Sequence, residues 1–284
     1  MASRAVALRA AALRAAALHP VRFCTLASGS KANATLVEAG ATRLLVDCGL
    51  GPRILAKRLA EAGVAPASID AVIVTHEHID HIKGLAQAVA KWHWPVVSTP
   101  GTLAGVANLP GDRQLATAYG TVRLIGECTV ELVTVPHDAA QPAAVVITAQ
   151  RSGERIGIAT DLGTVTDDVG AAFERLDYLV FESNHDEIML RTGPYPPFLQ
   201  ARIASSTGHL SNRQTGGLLG RAAHKGLRQV LLAHLSQQNN EPRLALESAR
   251  DVLKRTAFRG SLGCASQDVV TWPGNRRGQM ELGL

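Results

Sequence analysis

The chain has little of what staples a protein together or anchors it in a membrane. Its 284 residues include four cysteines, Cys24, Cys48, Cys128 and Cys264, far apart and without a CxxC pair. That spacing argues against a cysteine-based zinc site and a disulfide framework, and it fits a reducing cytoplasm. No apolar run approaches the roughly 20 residues that span a bilayer, so no membrane role is expected. No internal repeat is visible, and no linker is long enough to force a second domain. Acidic residues are outnumbered, 24 Asp and Glu against 29 Lys and Arg, for a formal charge of +5. An excess of positive charge suits a polyanionic partner, although charge alone selects no ligand.

Residues 1–20 stand apart. They are rich in Ala, Leu and Arg, lack Asp and Glu, and end at Pro20. Arg4, Arg9 and Arg14 recur near helical spacing, which allows an amphipathic helix of the kind found in transit peptides. We read this segment as an N-terminal extension, disordered or weakly helical, and residues 21–284 as the folded domain.

From Val21 onward short β-rich runs alternate with helical patterns. Strands are expected at Val21–Ala27, Thr35–Glu38, Arg43–Asp47 and Val72–Val74, with turn signals such as Ser28-Gly29-Ser30 between them. Further strands are expected at Val96–Ser98, Val122–Ile125, Val130–Val135, Ala143–Ala149, Arg155–Ala159, Tyr178–Phe181 and Val230–Ala233, and a last one near Val269–Thr271. Helical periodicity covers Pro52–Ala62, Gly84–Lys91, 166–175, 211–225 and 241–256. An α/β fold with two mixed sheets and outer helices, an αββα sandwich, packs this order naturally.

The segment Thr75-His76-Glu77-His78-Ile79-Asp80-His81 follows the apolar run Asp70–Val74 and places three histidines and an aspartate within six residues. Imidazole nitrogens and carboxylate oxygens suit Zn²⁺ and related first-row ions. In an extended chain His76, His78 and Asp80 would share one face. A turn would instead split the four between two metals. Three more apolar runs end in suitable donors: Val133–Pro136 at His137, Ile156–Thr160 at Asp161, and Val230–Ala233 at His234. Strand ends are where α/β folds build their sites.

The HxHxDH pattern resembles the metal signature of the metallo-β-lactamase fold superfamily. That resemblance implies His76, His78 and His137 on one metal, Asp80, His81 and His234 on the other, and Asp161 bridging them. It also implies that Asp47 supports the histidine loop from behind. Longer stretches look like the YycJ (WalJ) family of that superfamily: Phe23–Ser30, Pro136-His137-Asp138-Ala139, Thr160-Asp161-Leu162-Gly163, Phe181–Asp186 and Gly208-His209-Leu210-Ser211-Asn212. The likeness runs from about Val21 to Val270. It implies a 5′→3′ DNA exonuclease with two divalent ions, Zn²⁺ or Mn²⁺, with Fe²⁺ accepted by the same donors. A hydroxide bridging the metals would attack phosphorus in line, with Asp80 orienting it. His209, before a helix capped by Ser211 or Asn212, is similar to a histidine beside the scissile phosphate in RNase Z-type nucleases. It is the candidate proton donor, and Glu182 the residue that would hold its tautomer.

Arg191, Arg202, Arg213, Arg221, Lys225 and Arg228 flank His209 and form a candidate basic track. Tyr195 and Phe198, in Gly193–Phe198, could stack a base, but packing against the core is the expected use of both. An RNase Z-type endoribonuclease is the nearest alternative, disfavoured because Phe181 replaces the histidine expected before Glu182. A thioester, lactone or β-lactam hydrolase would use the same metals but leave the basic track and His209 without a purpose. A non-enzymatic regulator would not need the full ligand set.

Overall fold

A computed structural model describes residues 20–274. The extension read over 1–20 lies outside the described residues except for Pro20, as do residues 275–284.

The first half of the chain builds one sheet. Strands β1 (Arg22–Ala27), β2 (Ala34–Ala39), β3 (Thr42–Val46), β4 (Ala71–Ile73), β5 (Val96–Ser98) and β6 (Gln114–Ala116) lie side by side in that order. The first two pairings are antiparallel and the other three parallel. Helices α1 (Pro52–Glu61), α2 (Ile79–Ile82), α3 (Leu85–Trp92) and α4 (Pro100–Gly105) fall between these strands.

The second half builds the other sheet from β7 (Val122–Ile125), β8 (Cys128–Thr134), β9 (Ala143–Ala149), β10 (Arg155–Ala159), β11 (Tyr178–Glu182), β12 (Gln229–Ala233) and β13 (Ser261–Cys264), again in chain order. Pairings are antiparallel through β10 and parallel from β10 to β13. Helices α5 (Asp167–Ala172), α6 (Glu187–Thr192), α7 (Pro197–Ile203), α8 (Asn212–Ala222) and α9 (Pro242–Leu253) complete it.

Strand alternation sorts the side chains into three apolar layers. Leu44 and Val46 of β3 face the other sheet and join Ile147, Ile158 and Val180 between the two. Leu45, between them, points outward to Leu55, Leu59 and Leu85 of the helices. On the second sheet Leu179 and Phe181 turn outward to Val169, Leu218, Leu219 and Leu246, while Tyr178 and Val180 turn inward. The αββα arrangement therefore follows from period-two strands buried on both faces. No helix among the described residues is long and apolar enough to cross a membrane.

One expected element is displaced. The last strand is Ser261–Cys264, paired parallel to β12, and not Val269–Thr271. Thr271 makes only an isolated antiparallel bridge to Thr25, and Val269 is half exposed. Gly263 sits opposite Leu231 in a regular ladder. Strand β6 and helices α4, α6 and α7 were not expected, because each is only three to seven residues long and shows too little periodicity.

Candidate metal centre

The site lies where both sheets present the ends of their strands. Asp47 follows β3, the histidine loop follows β4, and His137 follows β8. Asp161 follows β10, Glu182 closes β11, and His234 follows β12. Three of these residues hold a left-handed backbone: Asp47 at φ 63, Asp161 at φ 60 and His234 at φ 54. Asp and His tolerate that region better than most side chains, but it still costs about 1–3 kcal/mol each. The turns aim side chains from straight strands into one space.

The histidine loop does turn. His78 is the N-cap of the one-turn helix α2, so Asp80 and His81 leave the side that carries His76 and His78. Donor atoms of His76, His78 and His137 lie within 4.8 Å of one another, and so do those of Asp80, His81 and His234. Asp161 sits between the two groups. Its Oδ2 is 2.9 Å from His81 Nε2, while its Oδ1 is 4.0 Å from His137 Nε2 and 3.4 Å from His234 Nδ1.

The hydrogen bonds around the histidines fix which nitrogens face inward. His78 Nε2 donates to the Asp138 carbonyl at 3.2 Å, and His137 Nδ1 donates to the Gly208 carbonyl at 3.1 Å. The remaining nitrogens, His78 Nδ1 and His137 Nε2, then face each other at 3.3 Å. Two lone pairs so placed repel unless a proton or a metal ion lies between them. Two ligands of a tetrahedral zinc, each about 2.0–2.1 Å from the ion, stand about 3.3 Å apart. The Nε2 of His76 is buried and has no hydrogen-bond partner. Burial also lowers the pKa of His76 and His137, which keeps their rings neutral and able to ligate. The donor set therefore fits divalent metal.

Behind these donors stands a buried carboxylate on each sheet. On the first, Asp47 Oδ2 meets His81 Nδ1 at 2.8 Å and Oδ1 accepts from the Thr75 backbone N–H at 2.8 Å. On the second, Glu182 Oε1 is 2.9 Å from both His209 Nδ1 and His234 Nδ1. Its Oε2 accepts from the backbone of Leu162 at 3.1 Å and Leu210 at 3.0 Å. Burial alone would raise the Glu182 pKa, but His209 and His234 together outweigh it and bring it down to about 2. Glu182 is wholly buried, so it does not serve as a surface salt bridge.

Asn33 had no sequence signal beyond following the Ser28-Gly29-Ser30 turn. Its Oδ1 accepts from Gly29 N–H, and its Nδ2 is 3.1 Å from both Asp80 Oδ2 and His81 Nε2. His78, Asp80, His137, Asp161, His209 and His234 line one cavity, joined by Ser30, Tyr195, Leu199, Arg202 and Ile203. Of the expected basic track only Arg202 reaches it, bound to Asp138 at 2.6 Å. Arg213 pairs with Glu187, and Arg228 with Glu154 and Asp177. The expected core packing of Tyr195 and Phe198 does not occur. Tyr195 lines the cavity, and Phe198 is exposed.

Residues 42–235 match the model of the beta-lactamase superfamily domain. Exodeoxyribonuclease YycJ of Bacillus anthracis is 34% identical over 242 residues, covering 84% of this chain and 91% of the relative. Exodeoxyribonuclease WalJ of Streptococcus pneumoniae is 31% identical over 230 residues, 79% of this chain and 85% of the relative. Among solved structures, the metallo-beta-lactamase fold protein YhfI of Bacillus subtilis superposes with a TM-score of 0.69 at 20% identity. That superposition covers 89% of this chain and 99% of YhfI.

Proposed function

The chain belongs to the beta-lactamase superfamily and, within it, to the YycJ/WalJ family, and from that membership we propose that it is a metal-dependent phosphodiester hydrolase acting on DNA as a 5′→3′ exonuclease. The observation that carries this reading is the shared oxygen of Glu182. It ties His209, which lines the cavity, to the candidate metal ligand His234. That arrangement places a proton donor beside the metals, where departure of an alkoxide from phosphorus needs one.

In this reading His76, His78 and His137 hold one cation, Asp80, His81 and His234 the other, and Asp161 lies between them. Bound there, two divalent ions, Zn²⁺ or Mn²⁺ by the chemistry of the donors, would polarise the phosphoryl oxygens and make water a nucleophile near neutral pH. Asp80 directs Oδ2 at His81 and His234, which leaves Oδ1 to take the proton of the attacking water. Asp47 and Glu182 orient the imidazoles by accepting from Nδ1. With Nδ1 of His209 committed to Glu182, Nε2 can protonate the leaving oxygen. Burial lowers the His209 pKa, yet the Glu182 charge outweighs it and holds the proton on above the ordinary histidine range. Arg202, at the cavity wall, can meet a neighbouring phosphate. The four cysteines are unpaired, which supports a cytoplasmic location.

The test is a polarity assay on 5′- and 3′-labelled DNA across a metal panel, with His76→Ala as the blank. Early release of the 5′ label is expected. DNA left intact with every metal would overturn the reading.

A further inference from the structure

Phe198 is 75% exposed, the most exposed large hydrophobic side chain among the described residues. It lies on α7, whose Leu199, Arg202 and Ile203 line the cavity. Phe198 and Arg202 are four residues apart on that helix, so they are neighbours on one face with Cβ atoms about 5–6 Å apart. Ile79, also 69% exposed, lies between the cavity-lining His78 and Asp80. Apolar side chains thus rise beside the polar floor.

Phe198 is held at a set offset from His209. The carbonyl of Ile203, at the end of α7, accepts from His209 N–H at 2.8 Å. Gly208 lies so close beneath that a Cβ would collide with the Arg202 and Ile203 carbonyls. The Arg202 guanidinium also grips Asp138 through Nε at 2.7 Å. An aromatic fixed beside a cation and a phosphodiester site has the chemistry of a base-stacking platform.

We propose that Phe198 stacks the nucleobase of the nucleotide next to the scissile phosphate, while Arg202 meets that nucleotide's backbone. The proposal rests on the nuclease reading and adds to it that the enzyme holds the end of the strand by the face of a base. A base inside a duplex has both faces covered, whereas an unpaired base or one at a duplex end offers a free face to Phe198.

The test compares wild type, Phe198→Ala and Phe198→Trp on single-stranded oligonucleotides with a normal or an abasic site beside the first scissile bond. Melting curves check that the variants fold. Equilibrium binding of an oligonucleotide carrying 2-aminopurine at that position is read by fluorescence in parallel. Phe198→Ala should raise KM on the normal strand about 5- to 150-fold, the factor that base–aromatic stacking supplies. The abasic site should cost wild type the same factor and cost Phe198→Ala nothing more. Phe198→Trp should restore binding, and 2-aminopurine should be quenched by wild type and Phe198→Trp but not by Phe198→Ala. Equal KM values for wild type and Phe198→Ala on the normal strand would overturn the platform while leaving the nuclease intact. A wild-type dimer that dissociates in Phe198→Ala would also overturn it, by giving the face to a second copy. If wild type cleaves no DNA, the nuclease reading falls, and 2-aminopurine left unquenched in that case overturns the platform as well.

Discussion

Glu182 Oε1 stands 2.9 Å from His209 Nδ1, with the carboxylate wholly buried. The pair sets the protonation state of the one histidine in the cavity that belongs to neither proposed metal. If His209 delivers its proton to the leaving oxygen, activity falls as pH rises through its raised pKa. Glu182→Gln removes the charge that raises it, so the alkaline limb of kcat should move to lower pH. A limb that stays in place would assign the proton transfer to another group.

His209→Ala should lower kcat by about 10²- to 10⁴-fold, the usual contribution of general acid catalysis. Bound metal, measured on the purified protein, should stay at the wild-type level because His209 is not among the proposed ligands.

Asp47→Asn keeps the shape of the side chain that meets His81 Nδ1 and Thr75 but removes its charge. Metal affinity should fall about 10- to 100-fold, as for other partners that orient a ligand from behind. Competition with a chromogenic chelator reads the change.

Added Zn²⁺ or Mn²⁺ should raise the melting temperature by several degrees, since a ligand at 100 times its Kd adds about 2.7 kcal/mol to the native state. Chelator should reverse the shift, and His76→Ala should blunt it. Binding should also release protons, because burial lowers the pKa of His234 but Asp161, Asp80 and Glu182 together outweigh it and bring it up to about 10, so a cation must displace that proton.

Much of the site could be read from the sequence because its donors follow apolar runs. His76, His137, Asp161 and His234 each come shortly after a buried strand, and such runs are conspicuous in a chain. Asn33 could not be found that way. Its contact with Asp80 spans 47 positions and depends on a turn whose geometry no local pattern encodes. Helix α7 was hidden for another reason. Seven residues, opened by Pro197 behind the N-cap Pro196, show too little periodicity to mark a face, so the exposure of Phe198 emerged only from the packed structure. The basic track misled because proximity in sequence to His209 did not carry Arg213 or Arg228 to the cavity. Acidic partners hold both elsewhere.

The two sheets are built from separate stretches, 22–116 and 122–264, and each supplies only part of the donor set. A chain that has finished the first sheet owns His76, His78, Asp80 and His81 but neither His137, Asp161, His209 nor His234. Synthesis therefore cannot yield a competent cutter before the last strands dock. Completion of the fold acts as the arming step, and a truncated or half-folded copy is disarmed by its own architecture.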